Sequence, residues 1–280
     1  MKIPRFWARS SRPVGAKARL VTCCEWSDTS VEDARRRAEA RAIELSAKFG
    51  DGVPLNRYLY GDRPLREEIV RTIKSAAGEE TAIITRNVYG ALVLNTRRAM
   101  FIDVDFGAAD QRAQQGGLLR RLFGKSAPND VEQRTLEKLM GWARQQPGLG
   151  VRVYRTFAGL RGLVTSTPLD PGRPETIALL RGAGSDPLYV RLCTAQESFR
   201  ARLTPKPWRC GAQVPPVRYP WESGEQEARF RQWLAAYERA MAGFSVCRLV
   251  QQIGPAGVHP EIAPIVALHD QFTLTERSLA

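Results

Sequence analysis

A chain of 280 residues with 43% hydrophobic side chains is long enough for one large domain or two modest ones with a real core. Forty-two Lys and Arg against 29 Asp and Glu leave a formal charge of +13, which favours polyanionic partners, with nucleic acid ahead of nucleotides or anionic membrane. No apolar run approaches the ~18–20 residues that cross a bilayer, and the first twenty residues, basic but without an apolar signal core, predict a cytoplasmic protein. Residues 19–25 read as a strand and 31–49 as a helix, opened by Ser30 with Asp33 three residues on. In that helix Arg35-Arg36-Arg37 interleaves with Glu32, Asp33, Glu39 and Glu44, the pattern of a solvated, ion-paired face rather than a phosphate site. Gly50 to Pro54 breaks it, Tyr58-Leu59-Tyr60-Gly61 leads on, and a second helix is predicted from Asp62, with Pro64 in its first turn, to about Ser75.

The stretch 76–80 is the one candidate boundary in the first half. It divides an N-terminal, mostly helical extension, residues 1–78, from an α+β domain, residues 79–280. Beyond it, 81–86 and 91–95 read as strands around Asn87-Val88-Tyr89-Gly90, and Thr96-Arg97-Arg98 leads straight into Ala99-Met100-Phe101-Ile102-Asp103-Val104-Asp105-Phe106. Such short connections predict one antiparallel sheet containing all three strands. Aspartate is depleted in strands, yet this run carries two. Alternation puts Met100, Ile102, Val104 and Phe106 on a core face and Asp103 and Asp105 on the other, with Phe101. Their Cα atoms lie roughly 6–7 Å apart at about 3.3 Å per residue, close enough for both carboxylates to converge on a hard cation such as Mg²⁺ or Mn²⁺.

Residues 107–129 form the longest irregular stretch, rich in Arg112, Arg120, Arg121 and Lys125. Its Gly124-Lys125-Ser126 is no P-loop, because Leu119 occupies the first glycine position and no strand precedes it. An amphipathic helix over 130–146 is followed by strands over 151–157 and 160–167, joined at Ala158-Gly159 in a tight hairpin. Pairing Phe157 with Leu160 sets Thr156 opposite Arg161 on one side of the sheet and sends Arg155 to the other. Short helices follow from about 174 and 187, the second carrying Tyr189, Leu192, Cys193 and Phe199. The segment 200–210 holds Arg200, Arg202, Lys206, Arg209 and Trp208 without an acidic residue. It reads either as a phosphate-contacting segment with a stacking surface or as a basic edge strand with Trp208 packed inward. A core-facing helix over 225–241, a strand over 245–253 and a strand or short helix over 262–270 complete the chain. Five cysteines without a CxxC pair predict reduced, mostly buried thiols, and two histidines, His259 and His269, have no zinc-ligand spacing.

The order hairpin, aspartate strand, helix, then a strand pair with a Thr-x-x-Gly-x-basic turn resembles the archaeo-eukaryotic primase-polymerase superfamily. Phe101-Ile102-Asp103-Val104-Asp105-Phe106 matches that family's hhhDhDh strand. Thr156-Phe157-Ala158-Gly159-Leu160-Arg161 aligns with its small-x-His motif, with Arg161 in place of histidine, and Leu268-His269-Asp270 is similar to its final h-Asp motif. The resemblance implies an RRM-like antiparallel sheet flanked by helices. It also implies an Mg²⁺- or Mn²⁺-dependent protein of nucleoside triphosphates and nucleic acid, DNA or RNA, and a nucleotidyltransferase if active. By the same resemblance Asp103, Asp105 and Asp270 are the catalytic carboxylates, the first two metal ligands, while Arg155, Thr156 and Arg161 contact the nucleotide. The alternatives are a non-catalytic nucleic-acid-binding relative and an Asp-dependent phosphohydrolase of haloacid-dehalogenase type. The latter family also carries DxD but has Thr or Val where Gly107 stands.

Overall fold

Alternating apolar and β-branched residues make five strands among the described residues of the first hundred, one of them where a helix is expected. The computed structural model describes residues 1–14, 19–50, 63–107 and 128–280. Strand β1 (Phe6–Val14) pairs antiparallel with β2 (Arg19–Ser27), joined also by the cross-strand Trp7–Trp26 ring pair, and the hairpin packs on helix α1 (Val31–Gly50) with Ala8 against Ala34 and Ala38. The N-terminal part is thus a hairpin on a helix rather than mostly helical. Within α1, Arg36 and Arg37 both pair with Asp33, as expected of a solvated face.

The helix expected over 62–75 is instead strand β3 (Glu68–Lys74). Ile69, Val70, Thr72 and Ile73 are β-branched, and their stiff χ1 favours a pleated strand over a helix. Strand β3 pairs with β4 (Glu80–Arg86), which pairs with β5 (Leu92–Thr96). The candidate boundary at 78 therefore falls in a hairpin turn, closed by Ser75 N donating to Glu79 O, and one sheet runs across it. The aromatic segment 58–61 and the basic stretch 108–127 lie outside the described residues.

Strand β6 (Phe101–Asp105) does not join β5. Helix α2 (Pro128–Arg144) follows, then the hairpin β7 (Val151–Thr156) and β8 (Gly159–Val164), and β6 pairs with β8. The hairpin register couples Tyr154 with Arg161 and Arg155 with Leu160, two residues from the expected one. A slip of two keeps every side chain on its face, so Thr156 and Arg161 still share a side. Helices α3 (Pro174–Gly182) and α4 (Pro187–Gln196) come next. Phe199 belongs not to α4 but to strand β9 (Phe199–Arg202), which takes the free edge of β5. That occupied edge is why the three early strands divide between two sheets.

Helix α5 (Gly224–Met241), the two-residue β10 (Phe244–Ser245), strand β11 (Cys247–Ile253), helix α6 (Ala263–Thr273) and β12 (Ser278–Leu279) finish the chain. The fold is α+β, with two four-stranded antiparallel sheets ordered β11-β7-β8-β6 and β3-β4-β5-β9. Residues of both sheets, among them Leu94, Phe101, Leu160, Phe199 and Cys247, share one hydrophobic core with α2, α3, α4 and α6. No helix of the described residues is long and apolar enough to cross a membrane.

Candidate functional site

Strands β6 and β8 of one sheet and β5 and β9 of the other meet around a cleft of about 220 Å³. Asp103 and Asp105 of β6 line it together with Thr156, Arg161, Arg200, Arg202, Lys206 and Arg209, and also Asn87 and Tyr189. Cross-strand pairing sets Asp103 directly opposite Arg161 and Asp105 opposite Gly159. Gly159 is required there, because a Cβ would stand 2.1 Å from Val104 O and 3.0 Å from the Asp105 Cα. The backbone of β6 is further pinned by Asp186 N donating to Asp103 O at 2.8 Å, while the Asp186 side chain caps α4 at Tyr189 N.

Asp28, Asp33, Asp170, Asp186 and Asp270 each accept hydrogen bonds within the fold. The carboxylates of Asp103 and Asp105, by contrast, accept none among the described residues. Burial between the cleft walls and the like charges of Asp103 and Asp186 raise the pKa of Asp105. The two carboxylates thus make no direct ion pair among the described residues, while Lys206 and Arg209 across the cleft pull the Asp105 pKa the other way.

The facing wall carries the opposite charge. Arg202 has its Nε shielded from solvent with no hydrogen-bond partner, and burial, followed by repulsion from Arg161, lowers its pKa. Lys206 is lowered by burial and by Arg202 and Arg209, and Arg209 is lowered to about 10 by burial and Arg202. Asp105 and Asp103 across the cleft oppose these shifts without touching the two cations, whose near neighbours are aromatic: Lys206 Nζ lies 5.6 Å from the Trp208 ring centre and Arg209 4.3 Å from that of Phe157. Trp208 faces outward, 48% exposed, and meets the exposed Tyr89 of the β4–β5 turn edge-on at 5.1 Å. Inward packing of Trp208 is thereby overturned, although β9 is an edge strand as that reading had it.

Arg200 differs from its neighbours. Its guanidinium makes bonds of 2.7 and 2.9 Å to Glu67 and 2.7 Å to Asn95 Oδ1, and Glu67 also accepts from Thr85. Its charge is consumed inside the second sheet. Arg155 is on the far face of the first sheet, as alternation required, bonded to Glu132 at 2.7 Å and stacked over Phe106, outside the cleft. Thr156 lines the cleft but spends its hydroxyl proton on Gly159 O at 3.1 Å.

Asp270, expected as a third catalytic carboxylate, is not brought to Asp103 and Asp105. It lies on α6, where it accepts from Arg152, Tyr154 and the ring of His269 at 2.8 to 2.9 Å. Burial pushes its pKa up, but the bonds from His269 and Tyr154 outweigh that and hold it below the ordinary value. Among the described residues no group of three or more His, Cys, Asp or Glu is placed to hold a metal. The five cysteines are free, and Cys24 alone is partly exposed.

Comparisons with family models, curated proteins and solved structures return no match. Sequence reasoning missed Asn87, Tyr189 and the roles of Glu67 and Tyr89. Only Tyr89 carried a signal, as an aromatic residue at a predicted hairpin tip.

Proposed function

We propose that this cleft binds a nucleoside triphosphate with Mg²⁺ or Mn²⁺, and that the protein is a nucleotidyltransferase of primase-polymerase type acting on nucleic acid. The observation that carries the reading is that Asp103 and Asp105 line one cleft with Arg202, Lys206 and Arg209, close enough for Lys206 and Arg209 to lower the Asp105 pKa, yet make no direct ion pair with them among the described residues. With Arg200 neutralised by Glu67, the cleft keeps an excess of positive charge over its carboxylates. A magnesium-bound triphosphate is a net anion and offsets that excess.

The donor set suits such a complex. Mg²⁺ commonly takes one or two protein carboxylates and completes its shell with phosphate oxygens and water, so a third protein ligand is not required. Asp103 and Asp105 would hold the ion, relieving the repulsion that raises the Asp105 pKa. When bound, the ion neutralises the triphosphate and makes the attacking 3′-hydroxyl more acidic. Arg202, Lys206 and Arg209 would bind and orient the phosphates, and Arg161 would offer a bidentate donor edge opposite Asp103. The exposed Trp208 and Tyr89 rings, next to Lys206 at the rim, supply a surface on which bases of a single strand stack. The sheet that carries the aspartates is four-stranded and antiparallel, with its elements following as β-α-β-β and a returning β, but its order β11-β7-β8-β6 puts β6 at an edge where an RRM-like sheet has its first strand inside.

The test is Asp103→Ala combined with Asp105→Ala: metal-dependent nucleotide incorporation on a primed or unprimed template disappears while far-ultraviolet circular dichroism and urea stability persist. Unchanged incorporation in the folded double variant removes the proposal. A second reading, a nucleic-acid-binding relative without turnover, is favoured by Arg161, since arginine cannot serve as a near-neutral proton donor. It predicts salt-sensitive single-strand binding in the absence of any incorporation by the parent protein.

A further inference from the structure

Behind the cleft, and not lining it, is a buried polar chain that runs from α6 to Arg161. His269 is fully buried, with its ring between Phe101 at 5.3 Å and Tyr154 at 4.8 Å between centres. Its Nε2 lies 3.1 Å from Arg161 Nη1 and its Nδ1 lies 2.9 Å from Asp270 Oδ1. A guanidinium has only donors, so Nε2 must present its lone pair, and the proton of the neutral ring is then on Nδ1. There it donates to Asp270, whose second oxygen is held by Arg152 and whose first also accepts from the Tyr154 hydroxyl. One tautomer satisfies every group in the chain.

Arg161 Nη1 has two hydrogens. The carbonyl of Arg202 at 3.0 Å and His269 Nε2 at 3.1 Å take them, and Cys247 Sγ at 3.4 Å is the weaker third neighbour. Nη1 is therefore committed to the interior. Nε and Nη2, the side-on edge of the fork, make no hydrogen bond among the described residues, and Arg161 lines the cleft opposite Asp103.

We propose that His269 and Asp270 are positioning residues for Arg161: Asp270 fixes the tautomer of His269, and His269 fixes the Nη1 of Arg161. The Nε/Nη2 edge is thereby aimed into the cleft as a preformed grip for a phosphate oxygen pair. Asp270 thus acts through His269 and not on a metal. A flexible arginine would lose rotamer entropy on binding an anion; a tethered one has already lost it. This proposal rests on the nucleotide-binding reading for its ligand but not for its geometry.

The experiment has two arms. In the first, ¹⁵N spectra of the histidine-labelled full chain report the ring tautomer without any ligand: His269 is expected neutral with Nδ1 protonated and Nε2 bare at pH 7, and a protonated Nε2 overturns the proposal. In the second, Mn²⁺–ATP binding is measured in His269→Gln, His269→Leu, Arg161→Met and the His269→Leu/Arg161→Met double variant. Glutamine keeps an acceptor where Nε2 stands and is expected to bind within about threefold of the parent, whereas leucine weakens binding about tenfold, the loss of one charge-assisted bond's worth of positioning. The double variant is expected to bind no worse than Arg161→Met alone. Leucine binding as well as glutamine in folded protein overturns the positioning role. Absence of Mn²⁺–ATP binding by the parent instead overturns the nucleotide reading, and the tautomer arm still decides the relay.

Discussion

Arg200 and Arg202 are two residues apart on β9, share a face of that strand and line the same cleft, yet they should respond oppositely to replacement by methionine. Arg200 and Glu67 are buried, with side chains 9% and 6% exposed, and three short bonds fix the guanidinium. Removing one partner of a buried pair strands the other charge and costs about 3–5 kcal/mol. Arg202 has no such partner, and its Nε is an unsatisfied buried donor beside Arg161. An unmade buried hydrogen bond costs about 1–3 kcal/mol, so removing the group is neutral or stabilising by up to that amount. Methionine retains most of the packing volume in both cases. Urea unfolding at pH 7 should therefore show a markedly lowered midpoint for Arg200→Met and an unchanged or raised midpoint for Arg202→Met, while inorganic triphosphate binding falls chiefly in the latter. Equal destabilisation by the two substitutions would falsify the assignment of one as structural and the other as ligand-facing.

Gly159→Ala drives a methyl into the Val104 carbonyl at 2.1 Å, so β8 must part from β6 next to Asp105; a loss of about 1–3 kcal/mol is expected, with weaker Mn²⁺ binding, and a silent variant contradicts the tight register. His269, which burial holds at about 4 against 6.5 in the unfolded chain, contributes stability that is full above pH 6.5 and is lost as pH falls towards 4. That shift corresponds to about 3 kcal/mol, and His269→Gln should flatten the urea midpoint between those pH values; a slope identical to the parent's refutes it. At the rim, Trp208→Ala should weaken single-strand binding by about 1–3 kcal/mol and leave its salt dependence intact, whereas Lys206→Gln should reduce the log–log salt slope by about one. Reversed behaviour of the two would place the phosphates on the aromatic rim instead.

The strand carrying Asp103 and Asp105 was legible because two aspartates in an apolar period-two run have no structural excuse. Its partners were not. Strand pairing depends on which edges are free, and the edge of β5 is claimed by β9, some hundred residues on in the chain. The segment 62–75 misled because Pro64 after Asp62 imitates a helix start, while the four β-branched residues that follow decide for a strand once β4 offers an edge. The basic segment 200–210 was recognisable as a set but not resolvable by member. Charge says nothing about pairing, and Glu67, which neutralises Arg200, comes from the other side of the sheet. Asp270 shows the same limit: a carboxylate in a plausible motif is a ligand only if its lone pairs are free, and here they are already occupied.

Against the motif of the primase-polymerase resemblance, Arg161 in the place of a histidine reads, in sequence, as a loss of function. In the fold it is accompanied by an imidazole one hydrogen bond further back, on α6 rather than β8. An arginine stays charged through the whole physiological range, whereas a histidine in direct contact with phosphate would gain and lose its charge near neutrality. Placing the imidazole behind the guanidinium separates the two tasks: the arginine supplies a permanent charge and a planar donor edge, and the buried, neutral histidine supplies only direction. A phosphate grip built this way donates hydrogen bonds but has no proton acidic enough to give up, so any proton transfer to a leaving group would have to come from water or the ligand itself. The arrangement is therefore better suited to holding a phosphate than to general acid catalysis. That distinction, more than the presence of the carboxylates, is what measurement of turnover against binding in the Arg161 variants will resolve.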